Sequence, residues 1–167
     1  MAEPVVVAVS GVKNSGKTTL IEGLLPLLCA RGLKVAVIKH DGHDFSPDVP
    51  GTDTFRHLNA GACGTAVFSA HKWMACQQAA VDENNLLALF PDADLILLEG
   101  FKHSAWPKLE LVREGNSTES VCDPSTLLAL VSALPLKAGV PVLSPDALED
   151  IAGLLYRYYL ERSSCHA

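Results

Sequence analysis

The sequence predicts an α/β domain with a mostly parallel sheet, flanking helices and an antiparallel hairpin as an extension. Three observations carry that prediction. Strand-length runs such as "PVVVAVS" and "DLILLEG" are apolar on consecutive positions, the pattern of strands covered on both faces. Helical stretches alternate with those runs, as strand–helix–strand crossovers require. A glycine-bounded loop, "GVKNSGKT", sits between the first run and the first helical stretch. The 167 residues suit one domain, and 49% apolar residues suffice for a core, so a single domain over 1–167 is expected.

Taken in order, residues 4–10 read as the first buried strand. Lys17 to Arg31 reads as helix, with Leu20, Leu24, Leu27 and Leu28 on its inner side and Gly32 as its stop. Pro26 removes the hydrogen bond to the carbonyl of Glu22, which predicts a kink. "LKVAVIKH" (33–40) is the second buried strand, reached by a right-handed crossover. Residues 41–53, rich in Asp, Gly and Pro, form a long loop, a length that marks functional or disordered segments. A short helix follows at 54–60. "GTAVFSA" and "KWMACQQ" alternate across a short polar break and predict the hairpin. "ENNLLALF" (83–90) is a short helix and "DLILLEG" (94–100) a buried strand. "KLELVR" (108–113) alternates and reads as an edge strand, and "LLALVS" and "VPVLS" are two more strands. Asp146 is positioned to cap a final helix that runs to about Arg162.

Charge and composition exclude several classes. Thirteen basic against nineteen acidic residues leave a net charge of −6, and no basic stretch exceeds a pair. A broad nucleic-acid footprint and a polybasic membrane patch are both excluded. The amino terminus lacks a basic n-region, and no apolar run approaches the roughly 18 residues of a membrane span. The five cysteines include no C-x-x-C pair, which fits free thiols in a reducing cytoplasm. His40 with His43, and Cys165 with His166, lack the spacing of a metal site.

The loop has the chemistry of a P-loop, so the fold expected is of the P-loop nucleotide-binding type. Its residues Gly11, Val12, Lys13, Asn14, Ser15, Gly16, Lys17, Thr18 and Thr19 are the nucleotide-binding candidates. The glycines let the backbone wrap so that its N–H groups meet phosphate oxygens; Lys17 reaches the β- and γ-phosphates, and the Thr18 hydroxyl ligates Mg²⁺. The helix that starts there adds its positive end. A P-loop also needs an acid to position magnesium. Glu99, after a buried strand at the same sheet edge, is the first candidate; Asp41 and Asp44 are the alternatives. Lys13, Lys39 and Lys102 form a cationic rim on loops at that edge, and His40, His43 and His103 lie on the same loops as ligand-contact candidates. No nucleophile–base pair is identifiable, so no catalytic residue is assigned. The guanine reader N-K-x-D is missing, and the spacing alone supports only a nucleoside triphosphate.

Several separated stretches share a resemblance. "GVKNSGKTTLIEGLL", "VIKHDGHDF", "DVPGTDTFRHLNAGA", "LILLEGFKHSAWPKLELVR" and "GVPVLSPDALEDIA" together resemble the molybdopterin-guanine dinucleotide biosynthesis adapter family, MobB, over nearly the whole chain. The P-loop is generic; "EGFKH" with "PKLELVR", and "KHDGH" before "PGTD", are more specific. The resemblance implies a cytoplasmic homodimer that binds GTP with magnesium and hydrolyses it slowly at most. It implies a separate guanylyltransferase partner, which joins GMP to molybdopterin. The family motifs fall on Gly11 to Thr18, Lys39, His40, His43, Asp53, Glu99 and Lys102, with contact to the pterin phosphate as a further expectation. This chain departs from the family at Thr52 and Thr54, where lysine and serine are common, and at Ala133, where an acid often follows the late strand.

Two competing functions are a small metabolic kinase and a stand-alone GTPase switch. Kinases commonly clamp the transferred phosphate with several arginines, whereas Arg31, Arg56, Arg113, Arg157 and Arg162 are dispersed. The switch would need N-K-x-D and a catalytic glutamine.

Overall fold

The computed structural model describes residues 3–42, 45 and 48–164; His43, Asp44, Cys165 and His166 lie outside the described residues. The chain divides into two compact units, one made of Met1–His40 with Leu86–Ala167 and the other of Asp41–Asn85.

The first unit holds a six-stranded sheet. Its strands are β1 (Val5–Gly11), β2 (Val35–Lys39), β5 (Leu95–Glu99), β6 (Lys108–Leu111), β7 (Leu127–Val131) and β8 (Val142–Leu143). They lie in the order β2-β5-β1-β6-β7-β8, and every pairing is parallel. Because β1 lies between β5 and β6, its end is registered on both: Val9 pairs with Glu99, and Gly11 with Leu111. That register brings the loop after β1 and the acid at the end of β5 to one edge.

Alternate residues of each strand supply two cores. On one face Val7, Val9, Leu97 and Leu109 pack with Leu20, Leu24 and Leu28 of α1 (Lys17–Ala30) and with Ile151 and Leu155 of α4 (Leu148–Ser164). The two helices approach closely at Gly23, where an added Cβ would stand 2.9 Å from a methyl of Leu148. On the other face Ala8, Ile38, Ile96 and Leu98 form a smaller cluster, with Phe101 and Trp106 against it. The helix α1 continues through Pro26 to Ala30. Arg31 closes it by donating to the Leu27 carbonyl at 2.8 Å and pairing with Glu149 at 2.8 Å.

Two expectations need correction. "KLELVR" is not an edge: β6 is bonded to β1 and β7 and all four of its residues are buried. Its charged side chains have partners distant in sequence. Lys108, 0% exposed, donates from Nζ to the Ser104 carbonyl at 2.6 Å. Glu110, 1% exposed, accepts from the N–H of Val121 at 2.6 Å, the N–H of Cys122 at 3.3 Å and the hydroxyl of Ser120. Nor does Asp146 cap α4. The first helical bond runs from Ile151 N–H to the Ala147 carbonyl, so Ala147 holds the cap position. The Asp146 N–H donates to Ser144 Oγ at 3.3 Å instead.

The second unit contains α2 (Asp53–Asn59) and an antiparallel hairpin of β3 (Gly64–Phe68) and β4 (Trp73–Gln77), as expected. Thr52 caps α2 by accepting from the Phe55 N–H. It also donates to Asp48 at 2.9 Å, so one of the two departures from the family pattern serves as a helix cap. Val67, Phe68, Trp73 and Met74 are all exposed on the hairpin. α3 (Glu83–Leu87) is a single short turn of helix at the chain's return. No helix among the described residues is long and apolar enough to cross a membrane.

Glu110→Gln tests the buried acid. An amide presents two N–H donors where the site already supplies three, so one face meets donors it cannot accept. Denaturant unfolding should show a loss of about 1–3 kcal/mol; unchanged stability would show that the carboxylate is not the anchor of the 112–122 segment.

Candidate functional site

The loop from Gly11 to Gly16 joins β1 to α1, and its backbone has the curvature that a phosphate cradle needs. Gly11 has φ 140°, Asn14 φ 62° and Gly16 φ 97°. At Gly11 a side chain is also excluded sterically: an added Cβ would lie 2.6 Å from the Leu111 carbonyl oxygen and 2.8 Å from Ser15 Oγ. Gly16 is the N-cap of α1, no side chain caps it, and no acid occupies the first turn. The first N–H groups of the helix, with the positive end of its dipole, are therefore left for an anion.

Lys17 folds back over the loop, donating to the carbonyl of Val12 at 2.8 Å and of Gly11 at 3.3 Å. Burial holds its ammonium below the usual lysine pKa; the charge of Glu99 opposes this, and the like charges of Lys102 and Lys39 reinforce it. Those contributions place two of the expected rim lysines around Lys17. Lys13 is exposed on the loop, as are Thr18 and Thr19 at the helix start. Ser15 is 4% exposed, and its hydroxyl has no hydrogen-bond partner among the described residues.

The acid is well defined in the first unit. Thr18 Oγ1 donates to Glu99 Oε1 at 2.6 Å, and Glu99 is only 7% exposed. A hydroxyl and a carboxylate so close are hard oxygen donors suited to Mg²⁺, which takes one or two protein oxygens alongside phosphate and water. The residues thus fit the ion. Beyond Glu99 the chain turns through two left-handed residues, Gly100 at φ 107° and Phe101 at φ 51°. Ser10 pins this turn by donating to the Gly100 carbonyl at 2.5 Å. The His40 ring stands edge-on to Phe101, with centroids 5.6 Å apart, and the His40 backbone N–H donates to the Glu99 carbonyl at 3.0 Å.

Asp41 and Asp53 belong to the second unit, where Asp53 starts α2 and stands 3.7 Å from Arg56. His103 lines a separate cavity, which Lys102 also borders. Conversely, Asn116 was not foreseen. Its amide donates to the Asn14 carbonyl at 2.5 Å and to that of Lys13 at 3.5 Å, bracing the left-handed part of the loop. An asparagine in a polar stretch a hundred residues away carries no local signal of that role. Cys122 lies near Glu110 and Ser10, and burial, then the Glu110 charge, push its thiol up to about 12, so it is protonated and inert at neutral pH.

The arrangement can hold a phosphate chain at a helix N-terminus beside a hydroxyl–carboxylate pair. The family model for molybdopterin guanine dinucleotide synthesis protein B (MobB) matches residues 6–133. The molybdopterin-guanine dinucleotide biosynthesis adapter protein of Escherichia coli is 37% identical over 154 residues, covering 87% of each chain. Its namesake in Haemophilus influenzae is 31% identical, covering 88% of this chain and 85% of its own. The crystal structure of Bacillus subtilis MobB superposes with a TM-score of 0.71 at 28% identity, over 90% of this chain and 97% of that one.

Gly11 is crowded by backbone, whereas Gly23 meets only the flexible end of a leucine. Gly11→Ala should cost about 2–5 kcal/mol, combining backbone strain with a collision that the β6 backbone cannot relieve. Gly32→Ala, with φ 87° and nothing within 4 Å of the added Cβ, should cost only about 1 kcal/mol. Equal losses in urea unfolding would remove the steric argument for the cradle.

Proposed function

This chain belongs to the molybdopterin guanine dinucleotide synthesis protein B family, and on that premise we propose that it is a GTP-binding adapter for molybdopterin guanine dinucleotide formation. It binds GTP with Mg²⁺ and assists a separate guanylyltransferase that attaches GMP to molybdopterin. The observation that carries the proposal is the Thr18–Glu99 hydrogen bond of 2.6 Å beside the uncapped start of α1.

In this reading Lys17 exchanges the Gly11 and Val12 carbonyls for phosphate oxygens. The loop N–H groups and the Ser15 hydroxyl bind the phosphate chain, and Lys39 and Lys102 add attraction at its rim. Thr18 and Glu99 would hold Mg²⁺, which neutralises phosphate charge when bound. Among the described residues, none at the cradle is arranged as a nucleophile or as a base beside one. Among the arginines, Arg31 is paired with Glu149 and Arg162 lies over the Tyr158 ring, 5.3 Å from its centroid. The site can position a nucleotide and shield its charge, with the transfer itself left to the partner. Hydrolysis by the chain alone is therefore slow, and the work is cytoplasmic.

We also propose that the whole chain acts as one nucleotide-binding domain and that it works as a homodimer through the 65–77 hairpin. Val67, Phe68, Trp73 and Met74 expose apolar surface there, and a two-stranded ribbon has edges to pair.

Lys17→Ala should leave thermal unfolding nearly unchanged while GTP affinity falls about ten- to a hundredfold, from the loss of roughly 1.5–3 kcal/mol for a charged hydrogen bond. Calorimetric titration with equal affinities for both proteins would remove the lysine from the site. In a reconstituted assay, adding the wild-type chain to the guanylyltransferase with GTP and molybdopterin should raise dinucleotide yield, and Lys17→Ala should not. Equal stimulation by both would show that help does not pass through bound nucleotide.

A further inference from the structure

Ser10 and Asn116 carry no part of the predicted site, yet each touches one half of it. Ser10, 0% exposed, lies between Val9, which is registered on Glu99, and Gly11, which opens the loop. Its hydroxyl donates to the Gly100 carbonyl at 2.5 Å, and the Gly100 N–H donates to the Val9 carbonyl at 3.0 Å. Both polar groups of Gly100 are thus held by β1. Gly100 is the residue on which the chain turns, at φ 107°, directly after Glu99. Asn116 holds the other half. Its amide donates to the carbonyls of Asn14 and Lys13, at 2.5 and 3.5 Å, where Asn14 stands at φ 62°. Those carbonyls are the side of the loop away from phosphate, which meets N–H groups.

Both contacts belong to one connection, the segment 112–123 between β6 and β7. Asn116 sits in its first turn, where the backbone N–H groups of Asn116 and Ser117 both donate to the Arg113 carbonyl at 3.0 Å. Ser10 meets its far end, where the Cys122 thiol lies within hydrogen-bonding reach of the Ser10 hydroxyl and of the Glu110 carboxylate. That end is fixed in turn, because Glu110 accepts from the N–H groups of Val121 and Cys122 and from the Ser120 hydroxyl. One short segment is therefore tied to the phosphate loop at one point and to the turn after Glu99 at another. A contiguous chain of hydrogen bonds and packed side chains is the kind of structure that carries coupling between two sites.

We propose that Ser10 and Asn116 are positioning residues, and that the 112–123 connection couples the phosphate loop to the magnesium acid. Filling one half of the cradle firms the other through this segment. Ser10 acts through the Gly100 carbonyl, which sets where the Glu99 carboxylate stands relative to Thr18. Asn116 acts through the loop carbonyls, which set where the loop N–H groups point. The names of the ligands rest on the nucleotide reading of the cradle; the link between its two halves does not.

The test titrates the intact protein with GTP by calorimetry, in EDTA and again with magnesium, on wild type, Ser10→Ala, Asn116→Ala and the double variant. Ser10→Ala should lose about three- to tenfold of the gain from magnesium, the worth of one hydrogen bond. Asn116→Ala changes an exposed residue, so the fold is not at stake. It should lower the affinity in EDTA and, with no contact to Glu99, still lose about threefold of the magnesium gain. In the double variant the two losses of gain should not add. An intact gain in either single variant, or additive losses, would overturn the proposal. Should Ser10→Ala not fold, Asn116→Asp decides beside Asn116→Ala: its carboxylate cannot donate to the loop carbonyls, so its gain should fall at least as far, and an intact gain overturns the proposal. Amide hydrogen exchange on the unliganded protein supplies a readout that needs no nucleotide. Asn116→Ala should speed exchange at Gly100 about threefold or more relative to the core amides of α4; unchanged exchange at Gly100 would overturn the link. Faster exchange there in a protein that binds no GTP would leave the link standing and the nucleotide reading overturned.

Discussion

The placement of β1 between β5 and β6 is the constraint on which the rest depends. Because Val9 is registered on Glu99, the acid ends level with the loop that follows β1. Because Gly11 is registered on Leu111, that loop starts against the β6 backbone with no room for a side chain. The Thr18–Glu99 hydrogen bond then ties the start of α1 to the end of β5. Sheet order, a glycine and one hydroxyl–carboxylate contact together fix the cradle's curvature.

Rigidity around this point comes from polar groups buried on the second face of the sheet. Glu110 gathers the Ser120, Val121 and Cys122 donors, and so fixes the chain between β6 and β7 at one end. Further back along the same connection, Asn116 reaches the loop carbonyls of Lys13 and Asn14. A buried carboxylate is costly unless it is fully bonded, and one partner removed leaves the rest unsatisfied. The Lys108 and Glu110 charges of the family-like "PKLELVR" stretch are thus buried and bonded to neighbouring loops rather than presented on an exposed strand.

Much of the fold was legible in the sequence because buried parallel strands leave a simple mark. "PVVVAVS", "DLILLEG" and "LLALVS" are apolar without alternation, and each became a strand of the sheet. The glycine-bounded turn after β1 and the placement of Glu99 beside it were legible because a strand–loop–helix unit in a parallel sheet brings both to one edge. "KLELVR" misled because Lys108 and Glu110 create an alternation that mimics a half-exposed strand. Their partners at Ser104 and at 120–122 come from loops whose path no local pattern reveals. Asp146 failed as a cap because the helix starts after Ala147, which leaves Asp146 one residue short of the cap position. Asn116 was illegible for the same reason as the buried pair: its contact spans about a hundred residues of chain.

The proposed adapter function depends on Thr18 and Glu99 as the magnesium seat of a nucleotide cradle. Calorimetric titration of GTP with magnesium and again in EDTA, on wild type, Glu99→Gln and Asp41→Asn, measures it most directly. Glu99→Gln should retain binding in EDTA but lose most of the gain from magnesium, while Asp41→Asn should behave as wild type. A magnesium gain that survives Glu99→Gln and disappears in Asp41→Asn would contradict it.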